Sequence, residues 1–317
     1  MPGSLPTTPL APHPTPVEQM DRLRDSLGGG PRLLVKRDDA IGFAFGGNKV
    51  RKMRLVAADA LAKGADTLIT SGGVQSNHAR VTAAAAAKLG LRCILVVNGK
   101  AQERATANAL LDQLLGAEVR YVADRADRAP AMAAAAEEAK RLGRTPYVIP
   151  IGASTPLGAA AFVDAIMELR DQIDPPDVIV HSTSSGGTQA GLVAGCAIAG
   201  WKTRVIGVSA DEPAESLAHE VRTIIDGLPE LLGVPASRFS DVAVVVDDRF
   251  VGGGYGVPTA DSTQAIARCA RTEALFLDPT YTAKAMAGLI AHYKTGNFAS
   301  VQTVLFWHTG GQVALFA

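Results

Sequence analysis

The chain has 317 residues, of which 47% are hydrophobic and 20% charged, as in folded globular proteins that form one large domain or two ordinary ones. Its 31 basic residues balance 31 acidic ones. A net charge of zero excludes the strong field that favours nucleic acid or an anionic membrane, so we expect a small-molecule partner.

The three cysteines, Cys93, Cys196 and Cys269, are far apart and odd in number. They form neither a disulfide framework nor a metal-ligand spacing, so we predict buried free thiols, no metal site and a reducing compartment. The first 16 residues lack the pattern of a secretory signal, and no run approaches the roughly 18 apolar residues of a membrane span. We therefore expect a cytoplasmic protein, with a proline-rich arm that lies extended on the surface.

Short apolar runs alternate with helical patterns in the first half of the chain. We predict strands at residues 67–70, 92–97, 119–122 and 147–151. The helices between them are predicted at residues 77–89, 107–115 and 130–142. Buried strands joined by helices through glycine-containing loops are typical of parallel βαβ units.

The same alternation returns in the second half. Strands are predicted at residues 178–180, 204–208 and 303–307, and helices at residues 188–199, after Pro213, and near residues 259–271 and 282–292. So many strands predict an α/β protein with two open, twisted, mostly parallel sheets and an active site in the cleft between the domains. We place a small inserted domain at residues 46–156 and a large domain at residues 1–45 and 157–317.

Lys49 lies in the segment Gly46-Gly-Asn-Lys49, at the start of a predicted helix that Asn48 could cap. The positive end of a helix disfavours a charged lysine, which favours a lowered pKa and a role in forming an imine. The alternative is a solvated helix start, with the neighbouring cations also exposed: Arg51, Lys52 and Arg54.

Two further segments follow apolar strands and open helices, where open α/β sheets bind ligands. Gln75, Ser76 and Asn77 offer polar groups suited to a substrate carboxylate, although an ordinary helix cap by Ser76 or Asn77 fits equally. Residues 182–191, Ser-Thr-Ser-Ser-Gly-Gly-Thr-Gln-Ala-Gly, predict a phosphate-binding loop that matches neither G-x-x-x-x-G-K-[ST] nor G-x-G-x-x-G. A purely structural glycine-rich turn is the alternative.

The C-terminal part contributes Tyr255, Tyr281 and Thr309. The tyrosines could cover a planar ring or move protons, although buried tyrosines that only pack are more common. Thr309 follows the last predicted strand, so its hydroxyl could meet a ligand in the cleft. His78 and His308 are interpreted as core histidines.

Seven motifs in order, from K-R-D-D-A at residue 36 to H-T-G-G at residue 308, resemble the fold-type II pyridoxal-phosphate enzymes of the tryptophan synthase β-like fold. The others are G-G-N-K-V-R-K, Q-S-N-H, S-G-G-T-Q-A-G, G-Y-G-V-P and L-D-P-T-Y-T-A-K-A-M-A-G. The chain is similar in particular to the branch that holds 1-aminocyclopropane-1-carboxylate deaminase and D-cysteine desulfhydrase. This resemblance implies pyridoxal 5′-phosphate as the cofactor, a small amino acid as the substrate and a homodimer.

The resemblance also implies roles for matching positions. Lys49 would hold the cofactor as an imine, and Asn77, with Asn48, would bond the pyridoxal 3′-oxygen. Ser185, Gly186, Gly187 and Thr188 would bind the phosphate. Gln75, Ser76 and Asn77 would surround the substrate carboxylate, with Ser76 sharing proton transfer with Lys49. Tyr255 and Tyr281 would flank the substrate, and Thr309, with Thr282 nearby, would face the pyridine nitrogen.

Two positions separate the branches of this family. The cyclopropane deaminases carry Glu where this chain has Thr282 and Leu where it has Thr309. The resemblance therefore implies β-elimination on a small sulfur amino acid, first D-cysteine, then L-cysteate with sulfite as the leaving group, and last the cyclopropane substrate. The loop at residues 98–105 is shorter than in relatives, and Ala107-Asn108 replaces their Gly-Asn, which leaves the cleft mouth and the substrate open.

Overall fold

The computed structural model describes residues 5–11 and 14–317, which contain ten strands and eleven α-helices. The strands are β1 Val17–Gln19, β2 Arg32–Arg37, β3 Thr67–Gly73, β4 Arg92–Asn98, β5 Glu118–Val122, β6 Pro146–Val148, β7 Val178–Thr183, β8 Arg204–Ser209, β9 Val245–Asp247 and β10 Thr303–His308. The helices are α1 Asp21–Ser26, α2 Asn48–Ala62, α3 Asn77–Leu89, α4 Ala107–Leu114, α5 Arg128–Arg141, α6 Pro156–Arg170, α7 Gly187–Ala199, α8 Ala214–Asp226, α9 Leu228–Leu232, α10 Ala260–Glu273 and α11 Thr282–Lys294.

The strands form two open sheets, which confirms the predicted fold class. In the described residues one sheet has the order β1-β2-β10-β7-β8-β9, and the other has the order β5-β4-β3-β6. Every pairing is parallel except that of β1 with β2. All four strands of the smaller sheet come from one continuous part of the chain, inside the proposed insertion at residues 46–156. Helix α2, which also belongs to the proposed insertion, packs both on α3 inside it and on α6 in the large domain. The exact domain boundaries stay a prediction.

Helices α6 and α7 pack closely over the larger sheet because α7 carries glycine at the contact. A Cβ on Gly191 would lie 2.1 Å from the Ala159 carbonyl oxygen, so a larger residue would force the helices apart. Beneath them Phe162 meets Trp307 edge to face, with ring centroids 5.9 Å apart. This packing fixes the start of α7, where the sequence predicts the phosphate-binding loop.

The sequence patterns found most elements but missed three strands, β1, β2 and β9, and three helices, α1, α6 and α9. The strand predicted at residues 147–151 is shorter in the structure, because it ends at Val148 and is followed by Pro150. Proline has no N–H for a strand ladder, and Gly152 then turns the chain with a φ of 67°.

The prediction that the N-terminal arm lies on the surface is wrong for part of the described residues, while residues 1–4 and 12–13 fall outside them. Thr8 donates both its N–H and its hydroxyl to the Arg54 carbonyl oxygen at 2.9 and 2.8 Å. Leu10 is buried in the apolar cluster around the smaller sheet. Alternating apolar and hydroxyl residues therefore let this proline-rich segment pack as part of the core.

The three cysteines are buried free thiols, as predicted. Burial raises the pKa of Cys196 and of Cys269 to about 12, which removes thiolate reactivity at neutral pH. Among the described helices, none combines the length and apolarity needed to cross a bilayer.

Candidate active site

A cavity of about 480 Å³ opens where the carboxyl ends of strands from both sheets face each other. Its wall brings together ten of the residues predicted from the sequence: Asn48, Lys49, Ser76, Asn77, Ser185, Gly186, Thr188, Tyr255, Tyr281 and Thr309. These residues come from six separate segments of the chain. Their convergence at one edge of two parallel sheets is the arrangement expected of a ligand site in this architecture.

Lys49 is the second residue of α2, and its side chain lines the cavity. Burial lowers its pKa to about 8, so a substantial fraction of its amine is neutral near physiological pH. A neutral amine is the form that attacks a carbonyl carbon. The sequence prediction of an unusual lysine at this position is consistent with that environment.

The predicted capping role of Asn48 is wrong. Gly47, with a φ of 100°, occupies the cap position, and no side chain caps this helix. The Asn48 amide instead donates a hydrogen bond of 3.0 Å to the Thr188 hydroxyl. This bond ties the start of α2 to the start of α7 across the cavity wall.

The alternative of a solvated helix start is also wrong. Arg51 is 3% exposed and Lys52 is 0% exposed. Arg51 donates to the Asp38 carboxylate from Nε at 2.8 Å, and its guanidinium forms an ion pair with Glu168 at 2.8 Å. Because buried ion pairs are costly to break, this network holds the first turn of α2 in one position.

The predicted phosphate-binding loop forms the start of α7. Gly186 caps the helix with a φ of 77°, and the Ser185 hydroxyl lies 2.7 Å from the Ser154 hydroxyl. Gly187 does not line the cavity, but its N–H points to the Ser154 oxygen at 3.3 Å. Glycines, hydroxyls and the N-terminus of a 13-residue helix provide the donors that a phosphate ester needs.

Lys52 is a residue of this site that the sequence reasoning missed. Its ammonium donates to the Gly152 carbonyl oxygen at 3.0 Å and forms no ion pair with any described residue. A Cβ on Gly187 would lie 2.8 Å from the Lys52 Nζ. Burial and then Lys49 lower the pKa of Lys52 well below its usual value. A lysine buried beside a loop of N–H donors fits an anionic phosphate, whose negative charge would favour the protonated form of the Lys52 amine.

Ser76 and Asn77 begin α3 at the opposite wall. The Ser76 hydroxyl accepts from the Ala79 N–H at 3.2 Å and so caps the helix while it faces the cavity. Gln75 does not line the cavity. Its carboxamide donates to the Thr106 carbonyl oxygen and accepts from the Asn108 N–H, which uses both of its polar ends.

Arg80 orients this wall from behind and was also missed. It is 1% exposed and donates to the Asn77 side-chain oxygen at 3.1 Å, to the Asn108 side-chain oxygen at 2.9 Å and to the Gly46 carbonyl oxygen at 2.9 Å. Asn77 also accepts from the Asn108 amide at 2.9 Å. The Asn77 amide nitrogen, with its oxygen fully engaged, is therefore fixed as a donor.

Tyr255 and Tyr281 form a pair at the cavity wall. Their hydroxyls are 2.5 Å apart, and their rings meet edge to face with centroids 5.7 Å apart. Burial raises the pKa of Tyr281 well above its usual value, so this phenol stays protonated. A buried phenol pair can donate a hydrogen bond to a ligand or cover its ring.

The two threonines predicted near the pyridine nitrogen differ in position. Thr309 lines the cavity, with its hydroxyl 3.1 Å from that of Ser182. Thr282 does not line it and donates to Asp278 at 2.6 Å. Asp278 also accepts from three backbone N–H groups at the start of α11, so its carboxylate is satisfied within its own turn.

Comparisons with known proteins show the family to which the chain belongs. The family described as "Pyridoxal-phosphate dependent enzyme" matches residues 9–310. A 1-aminocyclopropane-1-carboxylate deaminase of Burkholderia vietnamiensis is 40% identical, covering 98% of this chain and 96% of its own. A D-cysteine desulfhydrase of Klebsiella pneumoniae is 38% identical, covering 96% of this chain and 93% of its own.

A solved structure described as an ACC deaminase homologue superposes with a TM-score of 0.90 at 38% identity, covering 98% of this chain and 94% of its own. The glycines at the start of α7 and the buried Lys52 fit a phosphate, and the Lys49 amine fits an aldehyde carbon, so the residues present suit the group that this family binds. The chain belongs to the pyridoxal-phosphate dependent enzymes of fold type II, within the group of 1-aminocyclopropane-1-carboxylate deaminase and D-cysteine desulfhydrase, and its cofactor is pyridoxal 5′-phosphate.

Proposed function

We propose that this protein is a carbon–sulfur lyase that acts on D-cysteine. Water is consumed, and the products are pyruvate, ammonia and sulfide. The Cβ–S bond breaks with its electron pair on sulfur, and the proton on Cα is taken by the enzyme. L-cysteate, with sulfite as the leaving group, is the second candidate substrate, and 1-aminocyclopropane-1-carboxylate is the third.

The Thr309 hydroxyl carries this proposal. It lines the cavity and bonds with Ser182. The deaminases carry Leu at this position and Glu at the position of Thr282, so this chain has a neutral hydroxyl at both positions. A carboxylate beside the pyridine nitrogen would keep that nitrogen protonated and strengthen electron withdrawal, whereas a neutral hydroxyl does not. Weaker withdrawal suffices when a good leaving group departs from Cβ, but opening a cyclopropane ring demands more, so Thr309 together with Thr282 favours the lyase over the deaminase.

Thr282 also favours the lyase, although its side chain does not line the cavity. The deaminases carry Glu here, whereas the Thr282 hydroxyl donates to the buried Asp278. Burial raises the pKa of Asp278, so a second carboxylate beside it would be costly. A neutral side chain at this position keeps the turn before α11 stable.

Each wall of the cavity has its own task in this proposal. The cofactor, when bound, withdraws electrons from the substrate Cα. Lys49 would hold the cofactor and would take the Cα proton at Nζ, with the Ser76 hydroxyl, which lines the same cavity, to share it. Asn77 and Asn48 would donate to the 3′-oxygen of the cofactor.

Binding and positioning involve the remaining walls. Ser185, Gly186, Gly187 and Thr188 would bind the phosphate, and Lys52 beside them would add a positive charge. The N–H groups and hydroxyl at Ser76 and Asn77 bind the substrate carboxylate, and the tyrosine pair covers the substrate. Gln75 supports this wall through Asn108.

The relatives support the family but do not separate the substrates, since deaminase and desulfhydrase are 40% and 38% identical. A substrate panel with D-cysteine, L-cysteine, L-cysteate and 1-aminocyclopropane-1-carboxylate tests the proposal. We measure the 2-oxo acid formed, pyruvate from the three-carbon substrates and 2-oxobutyrate from the cyclopropane substrate, and expect it to form fastest from D-cysteine and to vanish in Lys49→Ala. A higher kcat/KM for the cyclopropane substrate would overturn it.

Cellular context follows as part of the same proposal. The three buried free thiols suit the cytoplasm. We also propose a homodimer, as in the family that the sequence resembles, and closure of the inserted domain at residues 46–156 over the substrate to exclude water.

A further inference from the structure

The mouth of the cavity carries two arginines in different environments. Arg125 pairs with Asp211 at 3.6 Å and with Glu212 at 3.8 Å, and its guanidinium lies 5.0 Å from the centre of the Tyr255 ring. Arg125 thus bridges the segment before α5 and the loop after β8. Its charge is matched by carboxylates already present.

Arg128, the first residue of α5, also lines the cavity but has no such match. Its guanidinium donates to the Asn98 side-chain oxygen and forms no ion pair within residues 5–11 and 14–317. Its Nε is buried and has no hydrogen-bond partner there. Burying an unpaired N–H of a guanidinium without a counter-ion costs free energy, unless a bound ligand supplies the missing acceptor and negative charge.

The position of Arg128 is close to the tyrosine pair. A Cβ on Gly73 would lie 3.7 Å from Tyr255 Cε1 and 3.9 Å from Asn98 Oδ1, which places the Asn98–Arg128 pair next to Tyr255. Burial raises the pKa of Tyr255, and the Arg128 charge opposes that rise. The guanidinium therefore acts on the part of the cavity that the proposed function gives to the substrate side chain.

We propose that Arg128 is a specificity-determining residue that binds a negatively charged β-substituent of the substrate. This inference rests on the proposed function and narrows its substrate class to amino acids whose bound β-substituent carries negative charge, as a thiolate or a sulfonate. Arg128 pairs with that charge when the substrate binds, before the Cβ–S bond breaks. A substituent that is uncharged until it leaves gains little binding from Arg128.

The test compares Arg128→Gln and Arg128→Lys with Arg141→Gln, a matched loss of charge at the exposed far end of the same helix. The substrates are D-cysteine, L-cysteate and β-chloroalanine, whose β-substituent is uncharged before it leaves. Pyruvate formation gives kcat/KM, and the change in cofactor absorbance on mixing gives the substrate Kd.

We expect Arg128→Gln to lower kcat/KM roughly 10- to 100-fold for the sulfur substrate that the wild type prefers, with a matching rise in its Kd. The effect on β-chloroalanine should stay below about threefold, Arg128→Lys should recover part of the loss, and Arg141→Gln should resemble the wild type. The ratio between substrates remains informative even if the variant is less stable.

An equal loss on all three substrates, or no loss on any, overturns the role of Arg128 while leaving the lyase proposal intact. A wild type that uses β-chloroalanine but neither sulfur substrate overturns both the inference and the choice of substrate. A wild type that forms pyruvate from none of the three overturns the proposed elimination itself, and the inference with it.

Discussion

The inner end of the cavity and its mouth are built differently. The inner end consists of the start of α7 and Lys49, which line the cavity, with Lys52 buried behind the α7 start. The mouth consists of Arg125, Arg128, Asp211 and Glu212, whose charged side chains come from segments far apart in sequence. In the proposed function, local motifs supply most of the cofactor site, whereas the residues that would select the substrate are brought together only by the fold.

The strongest test of this contrast removes the charge at the inner end. We expect Lys52→Met to weaken binding of pyridoxal phosphate about 100-fold, because a charge-assisted bond to the phosphate is lost. Titration of the apoprotein with cofactor measures the change. Lys63→Met, on an exposed lysine just after α2, is the matched control and should bind as the wild type does. Equal affinities in the three proteins would contradict the assignment of Lys52.

The second test concerns Arg80, which lies behind the cavity wall and bonds the Asn77 side chain. We expect Arg80→Met to lower kcat about tenfold, since Asn77 loses the bond that fixes its amide as a donor. Arg80 acts as a positioning residue, so the pH at which the cofactor absorbance changes should also shift. Loss of stability with an unchanged absorbance profile would show a purely structural role.

The lowered pKa of Lys49 predicts a pH dependence of about the same size as the effect expected for Arg80→Met. Because burial lowers its pKa to about 8, the protonated amine predominates below pH 8 and the neutral amine above it. The rate at which the apoprotein attaches pyridoxal phosphate should therefore rise about tenfold between pH 7 and pH 9 and then level off. A rate that keeps rising to pH 10.5 would mean that the Lys49 amine is not desolvated.

The smallest expected effect concerns the loop near the mouth. Ala107 has a φ of 45°, which strains a residue with a Cβ. Ala107→Gly should raise the free energy of unfolding by about 0.5–1 kcal/mol in urea denaturation. Ala109→Gly, in the interior of the same helix, should lower it by about 1 kcal/mol. Equal destabilisation by both substitutions would show that Ala107 is unstrained.

The sequence predicted the fold class and most of the inner end for a shared physical reason. Buried parallel strands are recognisable in the sequence as continuous apolar runs. After each of β3, β7 and β10, the glycines and hydroxyl residues of the site follow one another in a single short segment. Motif resemblance then identified Lys49, Asn77 and Ser185 as one site, and the cavity brings them together.

The errors and omissions share a different reason, because they depend on tertiary contacts. Whether Lys52 is solvated or buried depends on the approach of residues 152–154 and of α7, which are distant in sequence. Likewise, Gln75 was placed at the substrate although the Thr106–Asn108 segment takes up its carboxamide. Arg128 lies on a helix that carries several charges, and no local pattern marks it as facing the cavity.

The most direct test of the account locates the covalent bond to the cofactor. The holoenzyme is reduced with borohydride, digested, and the labelled lysine identified by fragmentation in a mass spectrometer. We predict that pyridoxyl phosphate is found on Lys49, with Lys52 unmodified. A label on Lys52 or on another lysine, or a reduced protein without label, would contradict the central assignment.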